Sequence, residues 1–151
     1  MTAASHYIYL DVCTLCRPFD DQTQMRIRLE TEAAQLILSY VRSGDLILTI
    51  SPVHYLEIKA IQQFTERGYL LALIEKLGQD ITFDPAKTRS RAETLMTQSF
   101  GPADAAHLAF AETAKADFIT CDDRLLRHCQ HSDTTVWCGT PTAFCVKENL
   151  R

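Results

Sequence analysis

The segment YIYLDVCTLCRPFDDQ, residues 7–22, decides the fold. Its first four residues are aromatic or aliphatic without polar alternation, the pattern of a strand buried on both faces. Asp11 follows at once. A carboxylate at the end of a core strand costs several kcal/mol unless something pairs with it, so its partners must lie elsewhere in the chain.

The chain has 151 residues, of which 46% are hydrophobic and 23% charged, values that fit one domain spanning residues 1–151 with one core. The opening MTAASHYIYLD lacks a basic stretch followed by a long apolar run. No segment approaches the roughly 20 apolar residues of a membrane helix, so the expected location is cytoplasmic, with no membrane partner. Six cysteines are too dilute for a disulfide scaffold and are read as reduced thiols. Cys13 and Cys16 form a C-x-x-C, but no second pair completes a zinc set. The net charge of −4 argues against a protein that coats nucleic acid through a broad basic face. It leaves room for an enzyme whose surplus acids share one metal site, since two divalent cations would cancel it.

Beyond the first strand, Asp20 or Asp21 is placed to cap a helix carrying Leu29, Ala33, Leu36, Ile37 and Tyr40, ended by Gly44. Residues 46–50 read as a second buried strand, and Ser51-Pro52 launches a helix to about residue 67, where Gly68 is expected to break it. A short helix over 69–77 closed by Gly78, a strand at 81–83 and a helix over 85–99 follow. Gly101-Pro102 starts an alanine-rich helix to about residue 116; a strand at 118–121, a helix over 122–131 and a last strand at 135–138 complete the pattern. Alternation of strands and helices implies an α/β fold, with a mostly parallel sheet covered on both faces.

In open parallel sheets ligands sit beyond the carboxyl ends of the strands. Two strands here end in acid, one at Asp11 and one at Asp122. Glu57 lies in the apolar stripe of its helix with Val53, Ala60, Ile61 and Phe64; either it snorkels to water or it aims inward at that edge. Asp104 stands two residues past Pro102, where the helix dipole favours a negative charge; this is plain helix-start chemistry or a fourth acid at the same edge. Asp123 reads as a first-turn or capping acid. Four converging carboxylates would repel one another unless cations lay among them, and all-oxygen ligands suit Mg²⁺ or Mn²⁺. Such ions activate water for attack on a phosphodiester, which points to nucleic acid as substrate.

Taken in order, Y-x-Y-L-Asp11, Glu57 after the second strand, Asp104-A-A-H-L-A and Thr120-C-Asp122 resemble the motif series of the PIN domain family, VapC-type toxins included, across residues 7–141. The resemblance implies a three-layer α/β/α sandwich, metal-dependent endoribonuclease activity on RNA, a homodimer and a small antitoxin partner. It carries the acidic quartet onto Asp11, Glu57, Asp104 and Asp122, and a small hydroxyl residue at the substrate side of the site onto Thr120. Cys13 departs from the pattern: Asn, Ser or Thr is common there, and a thiol is a poor ligand for hard cations.

Arg17 is read either as a phosphate contact beyond the site or as a solvated loop charge. Arg124 and Arg127 have the same two readings near Asp122. His107, one turn past Asp104, is a satisfied buried histidine or a group assisting the metal; His54 is expected to hydrogen-bond Glu57, and His128 and His131 to lie on the surface. Two rivals remain open. One is a non-catalytic PIN-like module that holds RNA or protein. The other is a haloacid dehalogenase-like hydrolase with Asp11 as nucleophile, suggested by Asp11-Val-Cys-Thr14-Leu15 but lacking that loop's glycine.

Overall fold

The computed structural model describes residues 5–151; the expectation drawn from the first four residues lies outside them. Strands Tyr7–Leu10 (β1), Ile47–Ile50 (β2), Gly78–Asp80 (β3), Asp117–Ile119 (β4) and Cys138–Gly139 (β5) form one parallel sheet in the order β3-β2-β1-β4-β5. Helices Val12–Cys16 (α1), Met25–Arg42 (α2), Pro52–Lys59 (α3), Phe64–Leu77 (α4), Pro85–Met96 (α5), Pro102–Ala114 (α6), Asp123–Gln130 (α7) and Pro141–Lys147 (α8) connect or follow the strands.

The side-chain period of two in a strand splits the core. Ile8 and Leu10 of β1 pack with Ile37, Leu70, Ile74 and Phe144, under α2, α4 and α8. Tyr9 points the other way and packs with Leu108, Phe118 and Leu125, under α6 and α7. The result is the expected α/β/α sandwich.

The chain proceeds outward from β1 to β2 and β3, then crosses back to β4 on the other side of β1. The carboxyl ends of β1 and β4 therefore flank the point where the strand order reverses, the usual ligand crevice of open α/β sheets.

Several boundaries differ from the sequence reading. The break expected at Gly68 falls instead at residues 60–63, and Gly68 lies inside α4. Gln63 accepts the Glu66 backbone N–H as the N-cap of α4, and Arg67 Nη1 donates to Ile61 O at 2.7 Å, so the polar groups of the break are bonded locally. Gly78 opens β3 rather than only closing a helix. A Cβ there would stand 2.3 Å from Ile50 Cγ1, so glycine lets the edge strand approach β2. That moves the strand three residues ahead of 81–83. Asp20 and Asp21 do not cap α2: its N-cap is Gln24, and Asp21 closes a turn onto Thr23. Helices α1 and α8 are additions to the expected pattern.

Candidate metal centre

Asp11 is 5% exposed at the end of β1. Its backbone N–H still donates to Ile119 O at 3.2 Å, so the chain leaves the sheet alongside β4 and reaches Thr120. Asp11 Oδ1 accepts from the Thr14 backbone N–H (3.1 Å) and hydroxyl (2.7 Å), capping α1. Thr120 Oγ1 donates to Oδ2 at 2.5 Å, and the Cys13 thiol lies 3.1 Å from both oxygens. These bonds are a structural answer to why the fold tolerates an acid here.

Asp122 is exposed and caps α7 through Oδ1, which accepts from the Arg124 and Leu125 N–H groups at 3.0 and 3.1 Å. Its own N–H donates to Thr120 Oγ1 at 3.0 Å. The two strand-end acids are thus joined through one hydroxyl. Asp123 is a first-turn acid of α7, one of its two expected roles, with Asp122 as the cap, and it forms a two-pronged ion pair with Arg26 at 2.7 Å for each bond.

Glu57 comes from the second turn of α3, which starts at this edge, and its side chain is 39% exposed. His107 Nε2 donates to Glu57 Oε1, and this bond, ahead of all else, holds the Glu57 carboxyl below the ordinary range. Asp104 lies in the first turn of α6; because α6 runs back toward the start of β4, its beginning lies at the same edge. Burial raises the Asp104 carboxyl above its usual value, and the charges of Asp122, Asp11 and Glu57 raise it further against the opposing effect of His107. No hydrogen bond to that carboxylate from the described residues offsets the shift. All four expected acids therefore share one electrostatic neighbourhood.

A hard divalent cation suits this donor set, and the half-buried, repelled Asp104 is the group it would relieve. The oxygens are not closed into a cage. Among the described residues the one trio with ligand atoms mutually within 4.8 Å is His6, Asp117 and Glu148. That trio sits at the amino ends of β1 and β4, where Lys147 Nζ bonds Asp117 at 2.9 Å and Glu148 at 2.6 Å. Separated carboxylates fit Mg²⁺, which keeps several of its waters.

No protein-family model and no curated protein matches the sequence. Solved structures do resemble the fold. FitAcB from Neisseria gonorrhoeae superposes with a TM-score of 0.52 at 18% identity, covering 89% of this chain and 98% of that one. FitAB bound to an IR36 DNA fragment gives 0.51 at 18% identity over 89% and 94% of the two chains. The fold is the PIN-domain fold.

Within this PIN fold, two residues taken from the sequence as substrate contacts are bonded to the protein itself. Thr120 is completely buried, so its role as a substrate contact is corrected: its hydroxyl positions Asp11 and Asp122. Arg17 turns Nη1 onto Asp20 at 2.8 Å and Nε onto Glu30 at 3.1 Å. Glu30 is 3% exposed and also faces Arg26, so an ion-paired network ties the start of α2 to α7 beside the site.

His54 does not bond Glu57. Its Nδ1 accepts the Ser51 N–H at 3.0 Å and its Nε2 donates to Leu10 O at 2.7 Å, which fixes a neutral ring. Burial, then the neighbouring His107, lowers its pKa to about 4. Tyr9 and Ser51 were expected only as a buried strand residue and a helix start. Tyr9 O–H lies 2.5 Å from His107 Nδ1 and 2.8 Å from Ser51 Oγ; a polar tip on an otherwise buried Tyr was the available signal.

Proposed function

We propose that the chain is an Mg²⁺- or Mn²⁺-dependent endoribonuclease whose cation is held by Asp11, Glu57, Asp104 and Asp122. The observation that carries the reading is Asp104: a half-buried carboxylate raised by burial and by three other acids at the switch point of the sheet. When bound, the metal would supply an activated water and neutralise charge developing on the phosphodiester. The chain's own residues do the rest. Thr120 and Thr14 orient Asp11, Thr120 also holds the Asp122 backbone, and His107 holds Glu57.

The likeness to FitAcB and FitAB supports a further reading as the toxin of a toxin-antitoxin pair, cytoplasmic, paired with a small antitoxin and dimeric. Among the described residues no helix is long and apolar enough to cross a membrane. The hydrolase with Asp11 as nucleophile is disfavoured by the fold, whose solved likenesses include FitAcB and FitAB.

A second reading, the non-catalytic module, draws on the capping bonds of Asp11 and Asp122, which give both acids a structural use. Titration calorimetry with Mn²⁺, together with cleavage of a mixed RNA pool with and without chelator, separates the two. Mn²⁺ binding that Asp104→Asn abolishes, and cleavage that chelator stops, are the expected results. Absence of Mn²⁺ binding in the wild type would favour the module, and chelator-insensitive cleavage would end the metal assignment.

A further inference from the structure

A glutamate with three rotatable side-chain bonds, 39% exposed, ordinarily wanders in solvent. Glu57 is tied down by a chain of hydrogen bonds that runs through three elements. Ser51 is the N-cap of α3, which also carries Glu57, while Tyr9 belongs to β1 and His107 to α6. With the His107 ring neutral, the donors follow in order from Glu57. The Glu57 carboxylate only accepts, so His107 Nε2 carries the hydrogen between them. In the neutral ring Nδ1 must then accept, so Tyr9 O–H donates to it and accepts in turn from Ser51 O–H.

Nothing along this chain is loose. Ser51, Tyr9 and His107 are 1%, 0% and 3% exposed. The Tyr9 ring stacks near Phe118, with centroids 5.7 Å apart, and meets the His107 ring edge-on at 5.5 Å. The bond takes up Oε1 of Glu57 and leaves Oε2 for another partner.

We propose that His107, locked by Tyr9 and Ser51, is a positioning residue that presents Glu57 Oε2 to the cation. This rests on the metal reading above. The bonds that orient a ligand from behind typically change metal affinity by about 10–100-fold when removed.

The test is Mn²⁺ calorimetry on the full chain, with the melting temperature in chelator recorded for every variant. His107→Leu and Tyr9→Phe are expected to weaken Mn²⁺ binding by about 10–100-fold and about 3–10-fold respectively. His107→Gln, whose side-chain amide can still donate toward Glu57, is expected to recover most of the loss. The decisive arm places His107→Leu in a Glu57→Gln background: a group acting through Glu57 has no further effect there. An unchanged Mn²⁺ affinity in both Tyr9→Phe and His107→Leu, or an equal additional loss in the Glu57→Gln background, overturns the positioning role while leaving the metal site intact. Should His107→Leu fail to fold, Tyr9→Phe alone and combined with Glu57→Gln decides by the same criteria. A wild type that binds no Mn²⁺ overturns both this inference and the nuclease reading.

Discussion

Thr120→Val removes one hydroxyl and almost no volume. In the wild type that hydroxyl donates to Asp11 Oδ2 at 2.5 Å and accepts the Asp122 N–H at 3.0 Å, inside a residue with no exposed surface. A hydrogen bond to a charged group contributes about 1.5–3 kcal/mol, and the part-buried Asp122 N–H left without its partner costs at most about 1 kcal/mol more. Asp11 keeps its Thr14 bonds, so the two losses are not fully additive, and the net destabilisation is about 3 kcal/mol. For a chain of this size each kcal/mol moves the melting temperature by about 2–4 °C, which gives a drop of about 6–12 °C. Thr120→Ser keeps the hydroxyl and loses one methyl group, a change of about 1 kcal/mol. Thermal and urea unfolding followed by circular dichroism, in chelator so that no metal contributes, measures both. If Thr120→Val proves as stable as Thr120→Ser, the hydroxyl does not hold the two acids, and the account of how Asp11 is accommodated fails.

In chelator at neutral pH, Asp104→Asn is expected to melt no lower than wild type, because the fold disfavours the ionised form, whereas Asp11→Asn melts lower by roughly 1 kcal/mol or more, because an amide cannot accept from both Thr14 and Thr120; the two melting curves, compared side by side, check this ordering. His54 predicts an acid sensitivity. Its folded pKa of about 4 lies below the unfolded value of about 6.5, so protonation favours unfolding, and stability present above about 6.5 is lost as pH falls toward 4. The shift corresponds to about 3 kcal/mol, read as the difference in urea midpoints between pH 7 and pH 4.5, and a His54→Gln chain should show a smaller decline over the same window.

The order and type of the long elements were legible because each carries its period in its own residues: the apolar run of 7–10, the helical stripe from Leu29 to Tyr40, the Pro-started helices at 52 and 102. Acids at strand ends and helix starts stand out against the apolar pattern, which is what singled out Asp11, Glu57, Asp104 and Asp122, and the strand order sets the ends of β1 and β4 side by side. What stayed hidden depends on contacts far apart in the chain. Gly68 looks like a breaker, yet its helix continues, since glycine costs only about 1 kcal/mol against alanine there. Gly78 has a meaning only once Ile50 lies against it. The ion pair of Asp123 reaches Arg26, nearly a hundred residues earlier in the sequence. His54 and His107 stand one turn from the acids of their own helices, but His107 serves the acid of the other helix and His54 serves Leu10.

The central strand has a consequence for how this chain can change. Tyr9 feeds one face, Leu10 fills the other while its carbonyl anchors His54, and Asp11 emerges beyond the end. Because facing alternates with every residue, a single amino acid inserted or deleted between 8 and 10 would exchange the phenol and the aliphatic side chains across the sheet and shift the carboxylate by about 3.3 Å. Substitution among Ile, Val and Leu can drift freely there. The strand's length cannot: it acts as a ruler, and frame-preserving indels in this codon window should be absent from any library selected for a folded product.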